Sequence, residues 1–270
     1  MLRGNRRPAY LVERIRDQRR REEEEKMIEL KNVSKEYGKS GKRAVDNLSL
    51  TVREGELFGF IGPNGAGKTT TIRMLIGALA PTEGQILVDG IDMAVNPLEA
   101  KKRIGFVPDG ADLFDRLTGL EYLNFIGDMY EVPARERKDR MDRYLQQFEL
   151  TGAIGNRIAS YSKGMRQKLA TIGSLLHDPD IWILDEPMMG LDPKASFQLK
   201  EEMKRQCQAG KTVFFSTHVL EVAEKLCTRI AVINQGRLAA QGTLEELRSA
   251  EHAETLEQIF LELTETGEEA

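Results

Sequence analysis

Leu57-Phe58-Gly59-Phe60-Ile61-Gly62-Pro63-Asn64-Gly65-Ala66-Gly67-Lys68-Thr69-Thr70 reads as a buried strand, a glycine-rich loop and the opening of a helix. The segment from Gly62 to Thr69 fits the phosphate-loop pattern of Gly, any four residues, Gly, Lys and Ser or Thr. Glycines let successive backbone N–H groups curl around a di- or triphosphate at close range. The spacing predicts that Lys68 reaches the β- and γ-phosphates and that Thr69 offers its hydroxyl to Mg²⁺. A helix over 70–76 then turns its positive end toward the anion. A strand–helix turn without a ligand shares the glycines but not the whole pattern in this context. The stretch therefore predicts binding of a nucleoside triphosphate.

Working outward, the 270-residue chain can hold one large domain, or a core with a subdomain, around a substantial core. Its net charge of -4 suggests neither nucleic-acid binding nor gross disorder. No apolar run approaches the roughly 18–20 residues of a membrane-spanning helix, and no secretory signal is read. Cys207 and Cys227 form no metal-like cluster and are expected to be reduced thiols of a cytosolic protein. Residues 1–26 are dense in Arg and Glu, with Arg19-Arg20-Arg21 running into Glu22-Glu23-Glu24-Glu25. That composition fits a solvated, partly helical tail. It also fits an extension upstream of a domain that opens at Met27, where 27–33 alternates apolar and polar residues as a strand does.

Strands are expected over 28–33, 44–52, 84–88 and 103–107. The pattern then turns helical from Leu117 to Leu150, with an amphipathic stretch over 135–148, and again over 163–176 until Asp178-Pro179. Ile181-Trp182-Ile183-Leu184 is a continuous apolar run, the mark of a strand covered on both faces in a parallel sheet. A helix over 193–208, a strand over 212–216, a helix over 219–226 and a strand over 229–234 follow. Helices over 243–248 and 254–263 close the chain. The alternation predicts an α/β fold with a mostly parallel core sheet, whose ligand lies at the carboxyl ends of the strands.

Asp185 ends the apolar strand and is placed to hold Mg²⁺ opposite the phosphates. Glu186 follows as the candidate that orients or deprotonates an attacking water. An acidic pair after a strand is also a helix N-cap pattern; the upstream phosphate loop favours the catalytic reading. Ser160-Tyr161-Ser162-Lys163-Gly164-Met165-Arg166-Gln167 opens a helix with a hydroxyl and free N–H groups, an anion-binding arrangement as well as an ordinary cap.

Together these motifs resemble the ATP-binding subunit of an ATP-binding cassette (ABC) transporter, in the family's order and spacing from Met27 to Leu263. Gly62 to Thr70 resembles the Walker A loop and the run from Ile181 to Glu186 the Walker B strand. Ser162-Lys163-Gly164-Met165 resembles the signature loop, Gly190-Leu191-Asp192 the D-loop and Ser216-Thr217-His218 the switch histidine. Tyr37 falls where the family stacks an aromatic ring on adenine. The resemblance implies a P-loop ABC ATPase fold with an antiparallel β subdomain over 27–270 and a helical insert over about 110–177. It implies ATP and Mg²⁺ as ligands and a head-to-tail pair of ATPase subunits, homodimeric or formed with a paralogue. ATP would lie between the Walker motifs of one copy and Ser162, Lys163 and Gly164 of the other, with Asp192 beside it. His218 would sense the γ-phosphate within its own chain.

Three departures stand out. Tyr161 and Lys163 replace the usual Leu and first Gly of the signature. Ile104-Gly105-Phe106-Val107-Pro108-Asp109 resembles the Q-loop but ends in Asp where the family has Gln, so Asp109 is carried over as a shorter, charged contact to a Mg²⁺-bound water. Met188-Met189 is a variation read as packing. The Tyr-Ser-Lys-Gly-Met signature, Asp109 and the run from Leu256 to Thr264 resemble export ATPases. With no membrane span, the resemblance implies a peripheral protein on the cytoplasmic face of the membrane, driving separate permease subunits through the region from Asp109 to Glu131. The alternative is a soluble regulatory ATPase with a non-membrane partner; nucleic acid is not expected as a partner.

Overall fold

The computed structural model describes residues 26–38, 41, 43–251 and 255–265. Residues 1–25, which carry nearly all of the charged N-terminal stretch, lie outside the described residues. In chain order the elements are β1 (Lys26–Glu36), β2 (Arg43–Arg53), β3 (Leu57–Ile61), α1 (Lys68–Leu75), β4 (Glu83–Val88), β5 (Ile91–Asp92), α2 (Pro97–Lys102) and β6 (Ile104–Val107). Next come α3 (Gly119–Met129), α4 (Ala134–Gln147), a 3₁₀ turn (Ile158–Ser160), α5 (Lys163–Leu175), β7 (Ile181–Leu184) and α6 (Pro193–Gln208). The chain continues through β8 (Thr212–Thr217), α7 (Leu220–Leu226), β9 (Arg229–Asn234), β10 (Arg237–Gly242), α8 (Leu244–Glu251) and α9 (Leu256–Glu265).

Two sheets result: an antiparallel one of order β2-β1-β4-β5 and a larger one of order β10-β9-β3-β8-β7-β6. In the larger sheet β9, β3, β8, β7 and β6 run parallel, and β10 pairs antiparallel with β9 at the edge. The apolar runs explain its burial. Ile181 and Ile183 of β7 face one core while Trp182 and Leu184 face the other. β8 repeats the division with Phe214 against Val213 and Phe215, and β3 with Phe58 and Phe60 against Leu57. Side chains alternate along a pleated strand, so a strand with both faces covered must be apolar throughout.

The first core is shared with the antiparallel sheet through Ile28, Leu30, Leu50 and Val52, the second with the helices through Leu123, Tyr144, Leu145 and Ile172. Trp182 is 1 % exposed, and its indole N–H donates to Ser174 Oγ at 2.9 Å, which pins α5 to the sheet. Truncating so large a buried ring costs about 3–5 kcal/mol. A capping box starts α3: Thr118 Oγ1 accepts from the Glu121 amide while Glu121 Oε2 accepts from the Thr118 amide.

Register aligns the carboxyl ends of the parallel strands. Val107 pairs with Leu184, Leu184 with Phe215 and Ile61 with Thr217. The loops that leave β3, β6, β7 and β8 therefore emerge side by side. They carry Gly62, Asp109, Asp185 with Glu186, and His218. Three elements differ from expectation: β5, α2 and β10 have no counterpart in the sequence reading. β10 follows a two-residue turn in which Gln235 and Gly236 both have positive φ, 47° and 80°, the hairpin geometry that matches strand twist.

Candidate functional site

The phosphate loop needs its glycines for steric reasons. Gly67 has φ 107°, and a Cβ there would lie 2.6 Å from the Ala44 carbonyl oxygen. A Cβ on Gly62 would lie 2.4 Å from the Ile233 carbonyl oxygen. The Gly236 amide donates to the Ala66 carbonyl at 2.9 Å, so the β9–β10 turn props the loop from behind. α1 has no side-chain N-cap, and its first N–H groups are left to an external acceptor. Lys68 is 7 % exposed, and its Nζ donates to the Gly62 and Pro63 carbonyls at 2.7 and 3.2 Å.

Asp185, buried beside the loop, accepts from Ser216 Oγ at 2.6 Å, with Thr69 of the loop nearby. Burial pushes its carboxyl above the ordinary range against the lowering influence of the Ser216 and Thr69 hydroxyls, and the neighbouring Asp109 and Glu186 carboxylates add to the rise. Glu186 takes φ 46°, a left-handed backbone that costs a non-glycine residue. Its Oε1 lies 3.7 Å from Lys68 Nζ and its Oε2 lies 2.9 Å from His218 Nδ1.

Lys68, Thr69 and Glu186 line a cleft of about 220 Å³ with Asn64, Gly65, Gly67, Thr70, Ala44 and Asp109; Asp185 and His218 lie outside that lining and join it through Ser216 and Glu186. A larger hollow of about 830 Å³ lies over β1, β2 and β10. Its charges are already paired: Asp46 meets Arg43 and Arg237, each at 2.6 Å, and Arg43 also meets Glu83 at 3.5 Å. The smaller cleft is the one with donors for an anion.

The donor set suits a nucleoside triphosphate with a hard cation: backbone N–H groups and a lysine on one wall, a hydroxyl and carboxylates on the other. Among the described residues no three His, Cys, Asp or Glu gather into an all-protein metal cage. Mg²⁺ does not need one, since it is held by one or two carboxylates plus substrate phosphates and water.

The remaining sequence candidates stand apart from this cleft. Tyr37 follows β1, is 46 % exposed and has the Lys35 ammonium 5.8 Å from its ring centroid. Ser162 is exposed at the start of α5, its Oγ accepting from the Met165 amide at 3.2 Å. Lys163 lies against Gly190, where a Cβ would meet the lysine stem at 3.1 Å, and Gly164 lies close to the Gly190 carbonyl. Asp192 caps α6 by accepting from the Ala195 amide at 2.9 Å, and Lys168 reaches it at 3.5 Å. The signature segment and the D-loop thus touch each other within one chain and line none of the cleft.

Two buried polar residues, quoted within motifs, were given no contact of their own in the sequence reading. Gln167, 1 % exposed on α5, hydrogen-bonds the Ala111 amide and the Pro108 carbonyl, each at 3.4 Å, on either side of Asp109. Ser216 sits beside Asp185. A hydroxyl residue ending an apolar strand was the available signal.

A sequence model described as ABC transporter matches residues 45–189. The chain is 39% identical over 238 residues to the ABC transporter ATP-binding protein NatA of Bacillus subtilis (strain 168), covering 87% of this chain and 97% of that protein. It is 37% identical over 225 residues to the Nod factor export ATP-binding protein I of Cupriavidus metallidurans, covering 83% and 74%. A solved dimer of the ATP-binding cassette MJ0796, in a post-hydrolysis state with ADP and Pi, superposes with TM-score 0.74 at 30% identity, covering 81% of this chain and 99% of that one.

Proposed function

Because this chain belongs to the ABC transporter family of ATP-binding proteins, we propose that Lys68, Glu186 and His218 form the hydrolytic centre of an export motor. The chain binds and hydrolyses ATP and couples dimer closure to export by separate membrane subunits. The observation that carries the site assignment is the convergence of Lys68 and His218 on the two oxygens of Glu186, at 3.7 and 2.9 Å, where Lys68 and Glu186 line the phosphate-loop cleft.

The loop N–H groups and Lys68 hold the β- and γ-phosphates. Thr69 and Asp185 would hold Mg²⁺, with Asp109 reaching it through water. Held there, the ion would supply positive charge against the charge that develops on the phosphates. Glu186 takes the proton of the attacking water, and His218 fixes the orientation of that carboxylate. Phosphoryl transfer asks for positioning and charge stabilisation more than covalent chemistry, which suits this set. Tyr37 stacks on adenine. Ser162, Lys163 and Gly164, at the positive end of α5, serve the nucleotide of a second ATPase subunit, and Asp192 sets the loop beside them. ATP joins two half-sites, and its hydrolysis releases them.

The cassette spans 27–270 with about 110–177 as its helical insert, and its first strand takes in one residue more, Lys26, which pairs with Arg53. Phe114, Leu120, Phe125 and Met129 are exposed around α3, with Phe114 and Phe125 edge to face at 5.7 Å. That apolar patch is the place for a short helix of a membrane subunit. Among the described residues no helix is long and apolar enough to cross a membrane, which fits attachment to the cytoplasmic face through such a partner. Affinity purification of the tagged chain from detergent-solubilised membranes tests this: a membrane protein should accompany it, whereas recovery with ribosomes or DNA contradicts the transport reading.

A further inference from the structure

We propose that Ser216 is a positioning residue whose single buried hydroxyl sets both carboxylates of the hydrolytic site, Asp185 and Glu186. This deepens the ATPase reading above and rests on it. Ser216 is completely buried; its Oγ donates to Asp185 Oδ1 at 2.6 Å and accepts from the Glu186 amide at 3.0 Å. A serine hydroxyl has one proton. With an acceptor position taken by the Glu186 N–H, that proton goes to Asp185. The residue therefore bridges a side chain and the next residue's backbone, and it holds the two in fixed relation.

The strand register shows why this position can do so. β8 lies between β3 and β7; Phe60 pairs with Ser216 and Leu184 with Phe215, so Ser216 comes level with Asp185. Val213, Phe214 and Phe215 before it are apolar and fully buried. The adjacent Thr217 spends its hydroxyl on the Val219 amide at 3.0 Å, a local turn contact. Ser216 alone of the pair reaches across to β7.

The second bond bears on Glu186. Its φ of 46° is a strained conformation, and the bond from its amide to Ser216 helps to hold it. The two consecutive carboxylates have different partners: Asp185 meets Ser216, while Glu186 lies between Lys68 and His218. A residue present only to fill space would be replaceable by any small side chain. Alanine here leaves a carboxylate oxygen and an N–H buried without their partner.

The test compares the purified full-length wild type with Ser216→Ala. Steady-state hydrolysis is measured against both ATP and Mg²⁺, and a fluorescent ATP analogue is titrated in EDTA. Losing a partner one step removed from a metal typically costs about 10–100-fold. The expected result is a kcat loss of that order, a raised Mg²⁺ concentration for half-maximal rate, and unchanged KM and metal-free nucleotide affinity. A variant with wild-type kcat and Mg²⁺ dependence overturns the proposal. A loss of metal-free affinity as large as the loss in kcat also overturns it, because it marks general disruption. If Ser216→Ala does not fold, Ser216→Cys, close in volume but a weak donor, is read against the same two outcomes. A wild type that neither binds nor hydrolyses MgATP overturns the ATPase reading itself and this proposal with it, a result distinct from an active wild type with an unaffected variant.

Discussion

His218 Nδ1 lies 2.9 Å from Glu186 Oε2. The two residues sit 32 positions apart, at the ends of β8 and β7, and the strand register brings them together. With Lys68 near the other oxygen, the Glu186 side chain is held from both sides.

Glu186→Gln keeps the shape and removes the proposed base. Steady-state ATPase assays are expected to show kcat falling by about 10²–10⁴-fold with ATP affinity retained. His218→Ala removes only the orienting contact, worth about 1.5–3 kcal/mol for a bond to a charged group, or roughly 10–100-fold in rate.

Lys68→Ala and Ser162→Ala separate groups within one chain from groups across an interface. Under the proposed assignment Lys68 serves the phosphates of its own cleft, so its loss should weaken nucleotide binding by isolated monomers about 10–100-fold. Ser162 lines none of that cleft, so Ser162→Ala should leave monomer affinity alone and lower turnover. It also removes the N-cap of α5, at about 1 kcal/mol of stability. Equal losses of affinity in dilute-monomer titrations would contradict the assignment.

His177 stacks on Tyr130 with ring centroids 3.7 Å apart, its Nε2 lies 3.1 Å from the Ile104 carbonyl, and its Nδ1 is buried without a partner. Burial holds its pKa down at about 4, against 6.5 ordinarily. The folded protein keeps the ring neutral where the unfolded chain takes up a proton. Its contribution to stability is complete above pH 6.5 and is lost as pH falls from 6.5 toward 4, by up to about 3 kcal/mol. Urea unfolding at pH 7.5 and 5 checks this: His177→Phe should narrow its stability gap to the wild type at the lower pH.

Glu202 joins α4 to α6. Its buried carboxylate accepts from Gln147 Nε2 at 2.9 Å and Gln206 Nε2 at 2.6 Å, and Arg205 pairs with it closely. Glu202→Leu should cost about 1–3 kcal/mol by stranding the two amides. Breaking a fully buried pair costs about 3–5 kcal/mol, but the side chains of Arg143 and Arg205 are 49% and 43% exposed and regain water. Denaturant midpoints measure the loss, and nucleotide binding should survive it.

Phe125→Ser should leave the ATPase rate of the isolated chain unchanged while weakening recovery of the membrane subunit. Phe125 is 42 % exposed and remote from the cleft lining, so a drop in intrinsic hydrolysis would count against a docking role.

Legibility in the sequence followed the range of the interaction. The phosphate loop is contiguous, and the apolar tetrad before Asp185 states its burial directly, so both were readable. β10 was not: Leu238-Ala239-Ala240 has little strand preference of its own, and pairing with β9 makes it a strand. The role of Ser216 depends on the β7–β8 register across 31 positions, and the neutrality of His177 on packing against Tyr130. For Ser216 the local mark is only a hydroxyl at the end of an apolar strand, and His177 leaves none. The separation of Ser162 from Lys68 is likewise a property of the folded surface, although the family resemblance anticipated it.

The most direct test of the central claim, that two chains close around shared ATP, is the molar mass of Glu186→Gln by light scattering during size exclusion. With saturating MgATP the account predicts a dimer, and with ADP a monomer. A protein that binds MgATP yet remains monomeric at saturation would contradict it.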